Sequence, residues 1–190
     1  KEAPLMRTLM SALITTALSF VTFTGCANAP ARVGRGAIAW SEIKQTHGVL
    51  LLSAGSSETC ALATNVVIKE SRTRTGHFDT KNPTLSPQNL FLSSDFDHVR
   101  SRVYALALNP GEYDYALLAV NYIHMEDPVT VQRTVQLDAG EIVYAGEIWL
   151  ENCRYDVSAS IRDSWDRDRP LIEAKFPLLP LDQVQIRLFR

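Results

Sequence analysis

Residues 129–137 (VTVQRTVQL) alternate almost strictly. Val129, Val131, Val135 and Leu137 fall on one side, and only Arg133 breaks the apolar set. A period of two puts one face in a core and the other in water, so the segment predicts a half-buried strand. The same alternation recurs at Tyr155, Val157, Ala159 and Ile161 against Arg154, Asp156, Ser158 and Ser160, and again over Val184, Ile186 and Leu188. Residues 49–54 (VLLLSA) form an unbroken run of buried type, and residues 61–69 (ALATNVVIK) are rich in β-branched side chains. The polar GSSET between them can serve as a hairpin loop.

A further strand is predicted over 99–108, leading into NPGEY at 109–113. Pro110 presets φ at the first central turn position and Gly111 suits the second with φ > 0, the signature of a type II turn. Residues 113–122 (YDYALLAVNY) continue as a strand, so 99–122 predicts a β-hairpin. Asp138-Ala139-Gly140 supplies another turn, and 141–150 (EIVYAGEIWL) return as a strand. Between these runs, residues 70–89 hold Pro83 and Pro87 and few aliphatics, the character of a long loop. Helix is expected in one place, about 168–176: Asp168 as N-cap, Pro170 in the first turn, and Phe176-Pro177 as the stop. No internal repeat interrupts the pattern. The fold class is mostly β, an antiparallel β-sandwich with one short C-terminal helix.

The first 25 residues follow a different grammar. Basic Arg7 precedes an uncharged apolar and small-residue run, and Thr24-Gly25-Cys26 closes it, the tripartite order of a secretory signal. Met6 stands where an initiator would leave Arg7 as the charged start. The closing residues look like a lipobox, with Phe23 departing from the usual Leu, Val or Ile. Cleavage before Cys26 would leave it acylated, and each buried methylene adds about 0.8 kcal/mol of membrane affinity. An ordinary signal peptide cut near Ala27 or Ala29 is the alternative, and a permanent span the next. The uncharged stretch 8–25 is near the lower limit for crossing a bilayer, and its Thr and Ser content lowers its hydropathy. The expected organisation is a signal at 1–25, a tether at 26–36 (CANAPARVGRG) and a single domain at 37–190. By analogy with bacterial lipoprotein sorting, Ala27 after the cysteine points to the outer membrane, with the domain facing the periplasm.

Composition adds exclusions. A hydrophobic share of 46% with 21% charged residues belongs to a globular chain, which rules out wholesale disorder. Beyond position 25 there are 19 − 2 = 17 basic and 21 − 1 = 20 acidic side chains, about −3 net and without basic clusters. Nucleic acid is therefore not an expected partner. Setting Cys26 aside leaves Cys60 and Cys153, an even number that invites a disulfide in an oxidising compartment. The chain-entropy model gives about 4 kcal/mol for a loop of roughly 90 residues. The bond needs Cα atoms within roughly 7 Å, which spacing does not reveal, and two free thiols stand as the alternative.

NPGEYDY at 109–115 and DAGEIVYAGEI at 138–148, set between a lipoprotein signal and a helix before a last strand, carry a resemblance. The chain resembles a group of uncharacterised bacterial lipoproteins whose domain is similar to the transthyretin-like or carboxypeptidase-regulatory-like β-sandwich, over roughly 48–189. The resemblance implies a Pro-Gly turn and packing of Tyr113 and Tyr144 in the sandwich, and it brings no catalytic residue. The 70–89 loop has no counterpart in it.

Candidate chemistry is sparse. His47, His77, His98 and His124 show no ligand spacing, so no metal or other cofactor is expected. Asp95, Asp97 and His98 in SSDFDHV, with His77 and Asp79 as neighbours, could bind a cation or relay a proton, although acidic residues before a strand commonly form a solvated turn. Ser56 and Ser57 lie beside Gly55 but lack the nucleophile elbow, and Cys60 could act as a nucleophile only if unpaired. Asp163, Asp166 and Asp168 interleave with Arg162, Arg167 and Arg169, as at a charge-laced helix start. Trp149 and Trp165 are either core or a stacking patch. Two functions stay open. One is a non-catalytic, lipid-anchored envelope module, not an enzyme, that meets an envelope protein through an edge strand or the 70–89 loop. The other is an envelope hydrolase or small-ligand or metal binder built on Asp95, Asp97 and His98.

Overall fold

Residue types and burial explain the strand order. A computed structural model describes residues 31–32, 40–57, 63–71, 82–87, 93–120, 129–152 and 157–190. The expected signal at 1–25, Cys26, Cys60, Cys153, His77, Asp79 and His124 lie outside the described residues. Among the described residues, ten strands build two sheets. The first contains β1 (Ala31–Arg32), β5 (Val99–Leu108), β2 (Gly48–Ser57), β8 (Ile142–Asn152) and β10 (Val184–Ile186) in that order, with β9 (Ser158–Arg162) also against β8. The second runs β4 (Thr84–Leu85), β3 (Ala63–Glu70), β6 (Gly111–Val120), β7 (Val129–Leu137). Most pairs are antiparallel; β2–β8 and β8–β10 are parallel. The mostly β sandwich expected from the periodicity is the observed architecture.

The unbroken apolar run of β2 reflects cover on both faces, as is usual for a central strand with a parallel neighbour. Leu50, Leu52 and Ala54 face the second sheet, where they meet Ile68, Tyr115, Leu117 and Leu137 in the main core. Val49 and Leu51 face the opposite way, into a second cluster with Trp40, Ile43, Ile172 and Phe176. The short helix α1 (Trp40–Ile43) and the terminal helix α2 (Trp165–Lys175) supply that outer cover. Each fully buried leucine contributes about 1.5–3 kcal/mol relative to an exposed one. β7 alternates because only one of its faces is covered. Its pairing with β6 jumps from Asp114↔Thr134 to Tyr115↔Val131, so Gln132 and Arg133 are extra residues at a bulge. Exposed Arg133 thus leaves the apolar stripe without disturbing its phase.

Several expectations are corrected. Residues 99–122 are not a hairpin: β5 belongs to the first sheet and β6 to the second, and the Asn109-Pro110 corner carries the chain from one to the other. Gly111 is the first residue of β6 and does not take the positive φ of a type II turn. The corner is held instead by the Tyr113 hydroxyl, which donates to the Asn109 carbonyl at 2.8 Å, an arrangement like the tyrosine corner of other sandwiches. GSSET is not a hairpin loop either, because Gly55, Ser56 and Ser57 belong to β2 and β3 lies in the other sheet. Within the 70–89 segment, Thr84–Leu85 adds an edge strand beside β3. Ala31–Arg32, inside the expected tether, pair with Ala107 and Leu106 of β5. Helix is not confined to one segment: α1 and a 3-10 turn at Leu181–Gln183 join α2. Ile186, expected on a buried face, is 50% exposed, and Phe189 is buried in its stead, edge-on to Tyr115 at 5.2 Å.

At the centre of β8 the register against β2 passes from Leu51↔Tyr144 to Ser53↔Glu147, so Ala145 and Gly146 together oppose Leu52. Gly146 has φ +96°, and a Cβ there would lie 2.9 Å from the Arg162 carbonyl oxygen. Only glycine fits that conformation and that gap. The bulge reverses the phase of the strand. Val143 and Ala145 face the main core before it, Ile148 and Leu150 after it, and Glu147 comes to share the outer face with Tyr144.

Candidate functional site

On the outer face of the first sheet, under the start of α2, polar side chains replace the expected apolar ones. Ser53, Ser101, Glu147 and Asp168 are buried, with Asp168, Ser53 and Ser101 wholly so. Burying carboxylates this deeply is costly unless donors surround them. The donors are present. Asp168 Oδ2 accepts from the Ser53 hydroxyl at 2.5 Å and the Tyr144 hydroxyl at 2.7 Å, and its Oδ1 accepts from Arg167 Nε at 2.8 Å. Glu147 Oε1 accepts from Arg167 Nη2 at 2.8 Å and from Ser101 at 3.2 Å, while its Oε2 accepts from Ser164 at 3.0 Å. Gly55 makes room: a Cβ there would lie 2.5 Å from Ser101 Cβ and 3.2 Å from Glu147 Oε1.

Three strands and one helix terminus thus meet through one polar network. Arg167 joins its halves, also donating to Ser53 at 3.2 Å and lying 4.2 Å above the centre of the Phe96 ring. Burial disfavours the Arg167 charge, but its bonds to Glu147 and Asp168 outweigh that and raise its pKa. Burial first, and the neighbouring Asp168 second, push the Tyr144 phenol far above its ordinary range, so it remains a donor. Ser164 occupies the N-cap position of α2 but makes no capping bond, since its hydroxyl is directed to Glu147. The expected boundaries shift accordingly. The helix spans Trp165–Lys175, Asp168 is a buried residue of the first turn rather than the N-cap, and Pro170 lies inside the helix beyond that turn. Chemically the arrangement fastens α2 to the sheet; the Ser53 hydroxyl is fully enclosed and committed to Asp168.

The structure gives the sequence-flagged residues separate tasks. Asp95 Oδ2 accepts from Lys175 Nζ at 2.5 Å and from the Val103 amide at 2.9 Å, tying the turn before β5 to the far end of α2. Asp97 and His98 are exposed in that turn, and His98 adopts φ 61°. His47 shares a 2.8 Å contact with its neighbour Thr46 through Nδ1. Among the described residues, no three His, Cys, Asp or Glu side chains are grouped to hold a metal ion. Ser56 is buried and Ser57 exposed, both within β2. Asp163 is exposed and accepts from the Trp165 amide, and Asp166 is exposed, so of the three interleaved aspartates only Asp168 enters the network. Trp165 packs 5.1 Å from Tyr144, whereas Trp149 carries Arg162 at 4.4 Å over its ring; the two do not form one patch. Among the described residues, no helix is long and apolar enough to cross a membrane.

The sequence singles out Asp168 and Arg167 only as parts of a charge-laced helix start and Tyr144 only as a packing residue; Ser53, Ser101, Glu147 and Ser164 it does not single out. A serine in an otherwise apolar run (LLLSA) and a glutamate inside AGEIWL were the available signals, since each is an anomaly at a buried strand position.

No protein-family model matches the chain, and no curated protein matches it. A solved structure of a leucine-rich repeat protein from Bacteroides thetaiotaomicron VPI-5482 aligns at 12% identity with a TM-score of 0.31. The alignment covers 57% of this chain and 14% of that one. Likeness at that level carries no weight for fold or function.

Proposed function

We propose that the chain is a lipid-anchored module of the bacterial envelope, non-catalytic, whose sandwich presents a binding or structural surface to another envelope protein. The observation that carries this is the order at the N-terminal end: Arg7, an uncharged run, then Thr24-Gly25-Cys26. Acylated Cys26 is the anchor in this proposal, and the outer membrane, periplasmic side, is the address that Ala27 suggests. A transthyretin-like relationship is part of the same proposal. The non-catalytic part draws support from the polar network, whose hydroxyls and carboxylates are spent on one another beneath α2. The hydrolase or metal-binder alternative gains nothing from Asp95, Asp97 and His98, because Asp95 is engaged by Lys175 and the other two point into solvent.

Expression in a bacterial host fed an alkyne analogue of palmitate tests the anchor. The wild-type chain is expected to take up label and to fractionate with membranes, and Cys26→Ser to lose both. An unlabelled wild-type chain in the soluble periplasmic fraction would overturn the proposal.

A further inference from the structure

We propose that residues 94–98 guard the outer edge of β5 against pairing with a second copy of this chain. β5 is bonded to β2 along its whole length, from Val99↔Ser57 to Leu108↔Gly48. On its other side, among the described residues, the only strand is β1, which reaches no further than Leu106 and Ala107. In an antiparallel pair, alternate residues turn both backbone groups away from the partner. The rest of β5 would therefore offer another strand a row of donors and acceptors, the usual template for edge-to-edge association.

The turn before β5 meets that row group by group. Ser94 Oγ lies 2.7 Å from the Val99 carbonyl oxygen and 3.0 Å from that of Ser101, sharing its one proton between them, and it accepts from the Ser101 amide at 3.1 Å. The Asp95 amide donates to the Ser101 carbonyl at 2.9 Å, and Asp95 Oδ2 accepts from the Val103 amide at 2.9 Å. Val99, Ser101 and Val103 are alternate residues, so two side chains and one amide stand where an added strand would bond. The outward side of the turn carries exposed Asp97 and His98, which an approaching sheet edge would have to desolvate. Helix α2 clasps the turn near both of its ends: Lys175 pairs with Asp95, and Arg167 lies 4.2 Å above the Phe96 ring, which packs on the outer cluster. Edge pairing joins backbones and asks little of sequence, and an antiparallel edge can meet its own copy about a two-fold axis. A second copy is thus the partner that a solution of the pure protein supplies.

The test compares the full chain with its Ser94→Ala/Asp95→Ala double variant in one reducing buffer with one non-ionic detergent. Amine crosslinking over a range of protein concentrations reads association, and amide hydrogen exchange reads where it occurs. The double variant is expected to give a dimer band that grows with concentration above the wild-type level, and its 99–108 amides to gain protection in step. Two further variants separate the guard from general stability and from charge. Tyr113→Phe loses the corner hydrogen bond but leaves the turn intact, and Asp95→Asn loses the charge pair with Lys175 but keeps an acceptor for the Val103 amide. Both are expected to match the wild type. A folded double variant that associates no more than the wild type would overturn the proposal. So would equal association of Tyr113→Phe, or concentration-dependent protection confined to another strand. Should the double variant lose its far-ultraviolet β signal, the single alanine variants are judged by the same outcomes.

Discussion

At the scale of single residues, the most consequential side chains are those whose partners are far away in sequence. Ser53 and Asp168 are 115 positions apart and wholly enclosed together. Removing the carboxylate in Asp168→Ala would strand the Ser53, Tyr144 and Arg167 donors, and breaking a buried charged pair on one side costs about 3 kcal/mol or more. A urea midpoint lowered to match is the expected outcome; an unchanged midpoint would mean the network contributes nothing. Tyr113 is a smaller and cleaner case. Its hydroxyl bond to Asn109 is expected to cost about 1 kcal/mol when lost in Tyr113→Phe. Burial, with Glu70 adding to it, raises the Tyr113 pKa from 10.0 to about 12, and Tyr144 shifts the same way. A phenol whose folded pKa lies above the unfolded value stabilises fully below the unfolded value and loses that contribution as pH rises. Stability measured by chemical denaturation should therefore decline as pH rises from about 10 to 12, and Tyr113→Phe should flatten part of the decline.

At the scale of elements, Gly146 and Pro170 are informative in opposite directions. Gly146→Ala forces a Cβ to 2.9 Å from the Arg162 carbonyl oxygen at a left-handed φ. A loss above about 2 kcal/mol is expected, read as a lowered thermal midpoint. Pro170 is exposed inside α2 and withholds an amide from the helix, so Pro170→Ala should raise the midpoint, by about 1–2 kcal/mol after the entropy returned to the unfolded chain. These elements also mark how far the sequence could be read. Strand positions were legible because alternation is local: β7 was visible down to the break at Arg133, which the bulge then explained. Partnership was not. Asn109-Pro110 announces a change of direction, but turn chemistry is silent on whether the next strand lies beside the last or across the core from it. The helix was legible by its Pro and charged residues, with a start three residues too late, because Ser164 and Asp168 are both N-cap residue types and only the fold shows that Asp168 lies in the first turn and faces inward. Asp168 looked like one more charge in an Asp–Arg series, and nothing within that series distinguishes the aspartate that turns inward.

At the scale of the whole molecule, the two sheets are laced by crossings. β2 to β3, β4 to β5, β5 to β6 and β7 to β8 each pass from one sheet to the other. The closing strand segment adds a last stitch: Arg190 exchanges backbone hydrogen bonds with Thr134 of β7 while Phe189 fills the core. The parallel pairing of β2 with β8 has a temporal consequence. A chain delivered from its N-terminal end, whether from a ribosome or through a translocation pore, presents residues 49–54 long before the partners that cover them. β5 reaches them first and β8 only when residues 142–150 have emerged. Until then Leu50, Leu51 and Leu52 have no lasting shelter, and contacts between such distant parts of a chain form slowly. The sheet that shelters this apolar strand on both sides is therefore the one the chain finishes last, because β8 and β10 come after every strand of the other sheet.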